Sequence, residues 1–275
     1  MSTRRIAAVI GSPVTHSLSP AIHQAAFDAA GVSWTYTAFD ITDAAAALSA
    51  MRLLGLAGLS VTMPLKEDVA QAVDRLDPAA RVLNSVNTVS WDGGELVGSS
   101  TDGAGFVASL AAAGVAVDGA EISVIGAGGA ARSVIDALGR AGAADITVLN
   151  RTRDRAEYAA SLSKAASVGI VSDITRADIV INATSVGMGV SIDNATDLDM
   201  ACDPALLRSG QVVADLVYHP LETAWIRAAA DIGATTVDGL GMLVQQAALQ
   251  QLQWLGTMPD TTAMRIAAEA ELARR

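Results

Sequence analysis

The chain has 275 residues, 51% of them hydrophobic and 17% charged, a balance that allows a sizeable buried core and argues against disorder. Its formal net charge of −11 argues against nucleic acid as a partner. The single Cys202 excludes an internal disulfide and a multi-cysteine metal site, and the three histidines are too scattered to suggest a metal ligand set. No apolar run reaches the length of a membrane span. From the cysteine and histidine usage we expect a cytoplasmic protein without a metal.

Short apolar runs alternate with Ala-rich helical runs in the first part of the chain, which is typical of an α/β layer. Strands are predicted at 6–10, 34–39, 58–62, 86–91 and 95–98, the last two as a hairpin across Asp92-Gly93-Gly94. Helices are predicted from Ser19 to about Gly31, from Thr42 or Asp43 to Leu54, and from Asp102 to Gly114. Another helix is predicted after Met63-Pro64, with Lys66 in its first turn. Ser19 is expected to cap the first of these helices, with Pro20 as its first helical residue.

The alternation continues in the second part of the chain. Strands are predicted at 121–125, 145–149, 168–171, 178–184, 211–215 and 235–237. Helices are predicted up to about Gly142, beyond Arg155, over 222–232, from Gly239 to about Trp254, and from Pro259. Residues 190–204 show no periodicity and are expected to be loop. This order suggests a second domain inserted between an N-terminal α/β layer and C-terminal helices that return to it.

The stretch Glu121–Arg132 joins a strand to a helix through closely spaced glycines. Gly126 allows a tight turn, Gly128 lets phosphates approach the backbone, and Ala131 packs the helix on the strand. Free N–H groups and the positive end of the helix dipole converge at such a turn and can hold a pyrophosphate. Together with the strand at 145–149 this completes a βαβ unit and predicts dinucleotide binding. A tight turn without a ligand is the alternative.

The tip of the strand at 145–149 indicates which dinucleotide is bound. An NAD-binding unit usually carries Asp or Glu there to accept from the ribose 2′-OH. This chain carries Arg151, Arg153 and Arg155 instead, and guanidinium groups match a phosphate in shape and charge. We therefore predict NADP, with Arg151 on the 2′-phosphate and Arg153 or Arg155 assisting. A solvated first helical turn, with Arg155 facing water, is the alternative.

Short polar motifs follow one another along the whole chain. They are Gly11-x-Pro13-x-x-His16-Ser17-x-Ser19-Pro20-x-x-His23, Ser60-Val-Thr62-Met-Pro64-Leu-Lys66, Val86-Asn87-Thr88, Ser100-Thr101-Asp102-Gly103, the glycine-rich turn, Asn150-Arg151-Thr152, Asn182-Ala-Thr-Ser-x-Gly-Met188, Asp215-Leu-Val-Tyr218 and Asp238-Gly-Leu-Gly-Met-Leu-Val-x-Gln246-Ala247. Each is modest alone, but together and in this order they are highly specific. The chain resembles the shikimate dehydrogenase family over nearly its whole length.

The resemblance implies reversible, NADPH-dependent reduction of 3-dehydroshikimate to shikimate, in chorismate and aromatic amino acid biosynthesis. It implies an α/β fold of two α/β domains. Residues 1–102, completed by C-terminal helices over 240–275, form the substrate domain, and residues 103–239 form an inserted NADP-binding Rossmann domain. The partner is then a small molecule, shikimate or 3-dehydroshikimate, bound by a monomer or a homodimer.

Hydride transfer to a ketone develops negative charge on oxygen, which needs a positive or proton-donating neighbour. Lys66 can supply both properties, and Asp102 is its expected partner. The resemblance implies substrate contacts from Ser17, Ser19, Thr62, Asn87, Asp102, Tyr218 and Gln246. It implies cofactor contacts from Gly126, Ala127, Gly128, Gly129, Ala130, Asn150, Arg151, Thr152, Arg155, Leu216 and Gly239.

Several of these residues also have simpler explanations. Ser19 and Asp102 could each only cap a helix, Asn87 could only bond a turn, and Lys66 could be a solvated side chain. Ser60 and Ser100 stand where the family usually has Asn, which leaves the hydrogen bonding around them open. The rival functions are a quinate or aminoshikimate dehydrogenase and a catalytically silent NADP-binding sensor.

Overall fold

The computed structural model describes residues 5–274. The described backbone divides into two compact units, one formed by residues 5–101 and 244–274, the other by Asp102–Leu243. Each unit is built on one six-stranded sheet with helices packed on it, so the predicted α/β class is confirmed.

The elements follow one another in alternating order along the chain. The strands are β1 (Arg5–Gly11), β2 (Trp34–Asp40), β3 (Gly58–Val61), β4 (Arg75–Leu76), β5 (Thr88–Asp92), β6 (Glu95–Ser99), β7 (Glu121–Ile125), β8 (Asp145–Leu149), β9 (Ala166–Val168), β10 (Ile179–Asn182), β11 (Val212–Asp215) and β12 (Thr235–Val237). The helices are α1 (Ser19–Ala29), α2 (Ala44–Leu54), α3 (Lys66–Ala72), α4 (Pro78–Leu83), α5 (Asp102–Ala112), α6 (Gly129–Arg140), α7 (Arg153–Ala160), α8 (Ala224–Asp231), α9 (Gly239–Leu255) and α10 (Thr261–Leu272).

The sheet of the first unit is mixed, with the strand order β2-β1-β3-β5-β6-β4. β1 pairs in parallel with both β2 and β3, and β5 pairs antiparallel with β3 and β6. Because β1 and β3 run in the same direction, their carboxyl ends meet at one edge of the sheet. The loops that follow Gly11 and Val61 therefore lie side by side.

Local signals set the ends of these elements. The Asp43 carboxylate accepts from the Ala46 N–H at 2.9 Å and so caps α2, which ends at Gly55 with φ +66°. Gly93 and Gly94, with φ of +58° and +93°, form the turn between β5 and β6, so the predicted hairpin is confirmed. Left-handed φ values of this kind favour glycine because they bring a Cβ too close to the backbone.

Strand β2 lies at the edge of its sheet, and a side chain occupies part of that edge. The Gln24 amide of α1 donates to the main-chain oxygen of Trp34 at 3.2 Å and accepts from the Tyr36 N–H at 3.0 Å. The same amide donates to the Asp28 carboxylate at 2.9 Å. Gln24 thus satisfies two main-chain groups of β2 in the way that a neighbouring strand would.

The sheet of the second unit is entirely parallel, with the order β12-β11-β10-β7-β8-β9. The strand order reverses between β7 and β10, the point at which doubly wound sheets bind nucleotides beyond the carboxyl ends of their strands. The apolar side chains of β7 and β8, with those of α5 and α6, form the largest part of this unit's core. The unit is a Rossmann fold.

Three sequence-based expectations about elements were wrong. The strand predicted at 168–171 is β9, at Ala166–Val168, and a short 3₁₀ helix follows at Val171–Thr175. Within the segment expected to be loop, residues 190–204, short 3₁₀ helices form at Ile192–Asn194 and Asp197–Asp199, and a third, Pro204–Leu206, begins at its last residue. Ser19 does not cap α1. It is the first residue of the helix, the cap position is Leu18, and no side chain bonds there.

Candidate active site

The loop after β1 lies against the loop after β3 because Gly11 has no side chain. Gly11 has φ +153°, and a Cβ at this position would lie 2.6 Å from the main-chain oxygen of Met63. The Ser12 N–H donates to that same oxygen at 3.0 Å, and the Thr62 N–H donates to the Ile10 oxygen at 2.9 Å. The predicted substrate residues of these two loops are thereby brought to the same edge of the sheet.

Ser17 and Ser19 flank the start of α1, and both are half-buried. The Ser17 hydroxyl accepts from the Ser19 N–H at 3.2 Å. One of the free N–H groups of the helix N-terminus is thus satisfied by Ser17 rather than by a capping Ser19. The Ser19 hydroxyl lies beside the Tyr36 oxygen, where it acts to lower the pKa of Tyr36 against the larger, opposite effect of burial.

Asn87 lies at the centre of a buried polar cluster, with 2% of its surface exposed. Its side-chain oxygen accepts from the Thr101 N–H at 2.9 Å and from the Thr88 hydroxyl at 2.7 Å. Its side-chain nitrogen donates to the Thr101 hydroxyl at 2.9 Å and to the Gln246 side-chain oxygen at 3.3 Å. The structure therefore brings Asn87 and Gln246 together, and Asn87 does more than bond a local turn.

A second polar cluster lies behind Asn87, and its residues were not predicted to belong to the site. Gln250 donates from Nε2 to the main-chain oxygen of Asn87 at 3.0 Å. The Gln250 Oε1 atom accepts from the Ser60 hydroxyl at 2.5 Å and contacts His23 Nε2 at 3.1 Å. The Tyr36 hydroxyl donates to Ser60 at 2.5 Å. All four side chains are buried, and they come from four different elements.

The protonation state of His23 follows from its partners. Gln250 presents an oxygen to His23 Nε2, so Nε2 carries the proton. The Gln251 Nε2 atom lies 3.1 Å from His23 Nδ1 and donates to the main-chain oxygen of His23, so Nδ1 accepts. The ring is stacked on Tyr36 at 4.2 Å between centroids. Burial lowers the pKa of His23 to about 3, and the hydrogen bond that His23 donates to Gln250 opposes this shift. His23 is a neutral structural histidine.

Lys66 and Asp102, the predicted acid–base pair, each begin a helix. Lys66 opens α3, is half-buried, and accepts the Val86 N–H on its main-chain oxygen at 2.9 Å. Asp102 opens α5 of the second unit and is also half-buried. A carboxylate is favoured in the first turn of a helix by the positive end of the helix dipole.

The glycine-rich turn follows β7 and lies at the reversal point of the second sheet. Gly126 has φ +117°, and a Cβ there would lie 2.8 Å from the main-chain oxygen of Ala183, which follows β10. A Cβ at Gly128, in contrast, would meet no protein atom within 4 Å. Packing therefore requires glycine at Gly126 but leaves open space at Gly128, as expected where a ligand approaches the backbone. Ala131 is fully buried, as its predicted packing role requires.

The first turn of α6 exposes its backbone at Gly128, Gly129 and Ala130, and Ala127 is buried beside it. The N–H groups of a first helical turn have no partner within the helix. Together with the dipole they form a site suited to a pyrophosphate. A dinucleotide therefore fits this turn.

The three arginines that follow β8 differ in the contacts that their side chains make. Arg153 donates to the Glu157 carboxylate at 2.7 Å across one turn of α7. Arg151 and Arg155 are exposed, and the described residues offer neither of them an ion-pair partner. Asn150 donates to the Thr152 main-chain oxygen at 2.8 Å, which fixes the turn that carries Arg151. Of the two arginines left open to assist Arg151, Arg155 is the one without a competing carboxylate.

Asp215, at the end of β11, anchors the segment that carries Leu216 and Tyr218. Its carboxylate accepts from Asn182 at 2.9 Å, from the Val217 N–H at 3.0 Å and from the Thr223 hydroxyl at 2.8 Å. Burial raises the pKa of Asp215 to about 6, and these three donors oppose the increase. Leu216 and Tyr218 are both half-buried.

Gly239, a predicted cofactor residue, is buried at the start of α9. A Cβ there would lie 2.6 Å from the main-chain oxygen of Val217. Glycine is thus required at this position because α9 closely approaches the segment after β11.

Within residues 5–274 no cluster of three or more His, Cys, Asp or Glu side chains is suited to a metal ion. The helices of this range include none with the length and apolar character that a membrane span requires.

Comparison with known proteins identifies the family. A profile of the shikimate dehydrogenase substrate-binding domain matches residues 9–89, and a shikimate/quinate 5-dehydrogenase profile matches residues 109–205. The chain is 43% identical to the shikimate dehydrogenase (NADP(+)) of Symbiobacterium thermophilum, over 98% of this chain and 95% of that protein. The chain belongs to the shikimate dehydrogenase family. The resemblance drawn from the motifs is confirmed, as is the arrangement of a substrate domain and a Rossmann domain.

Solved structures with this fold differ in what they act on. A crystal structure of shikimate dehydrogenase in complex with NADP⁺ matches with a TM-score of 0.91 and 33% identity, covering 99% of this chain and 97% of that one. A ligand-free 5-ketofructose reductase of Gluconobacter sp. strain CHM43 matches with a TM-score of 0.89 and 31% identity, covering 98% and 99% of the two chains. The fold of this family therefore serves reductases of more than one hydroxylated ketone.

Proposed function

We propose that this protein is an NADP-dependent shikimate dehydrogenase, which reduces 3-dehydroshikimate to shikimate reversibly in chorismate biosynthesis. The observation that carries the proposal is family membership over nearly the whole chain, with curated relatives of 36–43% identity that all bear the name shikimate dehydrogenase (NADP(+)). The site chemistry agrees, because a lysine, a carboxylate and short polar side chains suit a hydroxylated keto acid.

The cofactor site is proposed in the second unit. The open space at Gly128 and the exposed first turn of α6 fit the pyrophosphate of a dinucleotide. The exposed Arg151, with Arg155 and the Asn150–Thr152 turn, fits a 2′-phosphate. Leu216 and Gly239, at the ends of β11 and β12, complete the proposed set. When bound, NADPH supplies the hydride.

The substrate residues are proposed from their types and positions. Ser17 and Ser19, at the N-terminus of α1, would bind the carboxylate, since hydroxyl donors at a helix N-terminus favour an anion. Thr62, Asn87 and Gln246 would bind the ring hydroxyls. Asn87 and Gln246 share a hydrogen bond, which keeps their amides oriented before substrate arrives. We also assign Tyr218 and Asp102 to the substrate, from the segments that follow β11 and begin α5.

Lys66 is proposed as the catalytic acid. During reduction its ammonium group stabilises the negative charge that develops on the carbonyl oxygen and donates a proton to it. In the reverse direction the neutral amine accepts the proton of the hydroxyl group. Asp102 is proposed as the carboxylate partner that orients Lys66. Simultaneous retention of both residues argues against a catalytically silent NADP-binding sensor, which needs neither.

The test is a substrate panel monitored by the absorbance of NADPH. The purified protein is given NADP⁺ with shikimate, quinate, aminoshikimate or no substrate, and in the reverse direction NADPH with 3-dehydroshikimate or 5-ketofructose. We expect the highest kcat/KM with shikimate and 3-dehydroshikimate, and NADP⁺ preferred to NAD⁺. A higher kcat/KM for quinate, aminoshikimate or 5-ketofructose would reassign the substrate. NADPH binding without turnover of any compound would favour the sensor.

The remaining assignments follow from this activity. The substrate and cofactor are small molecules, so the proposal needs no nucleic acid, and the strongly acidic composition gives none a favourable surface. A cytoplasmic enzyme, acting as a monomer or a homodimer, agrees with a chain that has one cysteine.

A further inference from the structure

Ser60 lies at the meeting point of the buried cluster behind the proposed substrate site. It is on β3, is 5% exposed, and comes two residues before Thr62 in the chain. Its hydroxyl has one proton, which it donates to Gln250 Oε1 at 2.5 Å, and it accepts the proton of the Tyr36 hydroxyl at 2.5 Å. One oxygen atom thus connects a side chain of β2 to a side chain of α9.

The direction of this chain of hydrogen bonds is fixed. Gln250 must present its nitrogen to the Asn87 main-chain oxygen, since a carbonyl cannot donate. Its oxygen therefore faces Ser60 and His23, and each of those two groups has to donate to it. Because Ser60 uses its proton on Gln250, it can only accept from Tyr36. Reversing any one of these hydrogen bonds would leave a buried donor or acceptor unpaired, which is costly.

Asn87 is held from two ends by the same face of α9. Gln246 and Gln250 are four residues apart on the helix, so their side chains lie one above the other. Gln250 binds the main-chain oxygen of Asn87 at 3.0 Å, and Gln246 binds its side-chain nitrogen at 3.3 Å. Gln250 thus helps to hold the main chain at Asn87, together with the Val61 N–H, which donates to the same oxygen at 2.7 Å. Gln250 is in turn oriented by Ser60 and His23.

We propose that Ser60 is a positioning residue for substrate binding, which relays hydrogen bonds from Tyr36 to Gln250 and so holds Asn87 and Gln246 in their binding orientation. The inference rests on the proposed function, because it takes Asn87 and Gln246 as substrate residues. It also explains what a serine does at a position where Asn is usual. An Asn side chain can accept from Tyr36 with its oxygen and donate to Gln250 with its nitrogen, so either residue can relay in the same direction.

The experiment compares Ser60→Ala with a matched control, Ser99→Ala. Ser99 is also a buried strand serine that donates to a glutamine of α9, with Oγ 2.7 Å from Gln253 Oε1, but its side chain makes no hydrogen bond to Asn87 or Gln250. Ser60→Asn is the conservative replacement. For each variant, kcat and the KM values for shikimate and NADP⁺ are measured by NADPH formation, and the thermal midpoint is recorded.

A positioning role predicts a specific division between these constants. Ser60→Ala should raise the KM for shikimate by about 5- to 20-fold, the loss expected for one badly placed hydrogen bond, and leave kcat within about twofold. The KM for NADP⁺ should not change. Ser60→Asn should keep the KM for shikimate close to that of the unsubstituted protein. Ser99→Ala should lower the thermal midpoint without raising that KM.

The opposite results overturn the inference. If Ser60→Ala and Ser99→Ala lower the thermal midpoint alike and neither changes the KM for shikimate, the relay only stabilises the fold. If Ser60→Ala does not fold, Tyr36→Phe removes the other oxygen of the relay. A several-fold higher KM then supports the role, and an unchanged KM overturns it. An unsubstituted protein that does not oxidise shikimate at all would refute the proposed function and the relay's role with it, whereas normal activity with an unaffected Ser60→Ala refutes the relay alone.

Discussion

Replacement of His23 by Gln should change how the stability of the protein depends on pH. His23 is fully buried and neutral, and its pKa is lowered from 6.5 to about 3. The folded protein therefore binds fewer protons than the unfolded chain at pH values between these two. The contribution of His23 to the free energy of unfolding is fully present above the unfolded pKa of 6.5. It is lost progressively as the pH falls from there towards the folded pKa. His23→Gln removes this dependence.

The size of the effect follows from the two pKa values. The difference between 6.5 and about 3 corresponds to about 5 kcal/mol in total. About 2 kcal/mol of this is lost between about pH 7 and about pH 5, before most exposed carboxylates begin to titrate. Asp215 acts in the opposite sense. Its pKa is raised from 3.8 to about 6, so the same fall in pH stabilises the folded state by about 1 kcal/mol.

The assay must separate these opposing contributions. Urea unfolding can be monitored by the fluorescence of tryptophan, because Trp34, Trp91 and Trp254 lie in the same unit as His23 and only Trp225 lies in the unit that contains Asp215. The unsubstituted protein and His23→Gln are compared near pH 7, 6 and 5. The control is His16→Gln, which removes an exposed imidazole.

The difference between the two proteins carries the result. His23→Gln is expected to be less stable near pH 7, and the gap should narrow by about 2 kcal/mol as the pH falls to about 5. Contributions of Asp215 and of the exposed carboxylates cancel in this difference. A gap that stays constant with pH would mean that His23 does not differ in protonation between the folded and unfolded states. That result would refute the assignment of a neutral, buried ring.

Three further predictions concern the proposed catalytic and cofactor residues. Lys66→Ala should lower kcat by a factor on the order of 10²–10⁴ with a modest change in KM, and a near-native kcat would end its role as the acid. Arg151→Ala should weaken NADPH by about 1.5–3 kcal/mol and leave NADH nearly unchanged, whereas Arg153→Ala, which loses only the Glu157 ion pair, should weaken neither. Gly128→Ala should leave the thermal midpoint unchanged, because the added Cβ has no protein atom within 4 Å. It should weaken NADPH binding at least about tenfold, because the Cβ occupies the space in which the phosphates approach the backbone. Gly126→Ala should instead destabilise the fold by about 1–3 kcal/mol through its φ of +117°, and equal melting of the two glycine variants would contradict this distinction.

The fold could be predicted where its signals are local. The strand at Glu121–Ile125, the glycines after it and the helix that follows are neighbours in sequence, so composition and spacing were enough. The short strand β4, at Arg75–Leu76, escaped prediction because two residues carry no periodicity and their pairing with β6 is set by tertiary structure. The strand placed at 168–171 was displaced for a similar reason, since β9 has only three residues and its pairing with β8 is set by tertiary structure.

The candidate site likewise contains residues with a local sequence signal and residues without one. Asn87, Lys66 and Gln246 could be proposed from the sequence because each belongs to a short motif that the family shares. The relay behind them has no such signal, because Ser60 and Gln250 are 190 residues apart in the chain. Nothing near either residue in sequence shows that they meet. Contacts of this kind follow from the packing of α9 on the sheet, which a single sequence does not reveal.

The Gln24 amide on the edge of β2 has a consequence for how the protein behaves at high concentration. An uncovered edge strand is a template on which another chain can add a strand, the first step of many aggregation reactions. β2 contains Trp34, Tyr36 and Phe39, and its one charged residue, Asp40, is at its end. By holding the Trp34 oxygen and the Tyr36 N–H, Gln24 removes the hydrogen-bonding groups that an incoming strand would need first. A helix side chain thus occupies two of the main-chain groups to which another copy of the protein could add a strand at this edge.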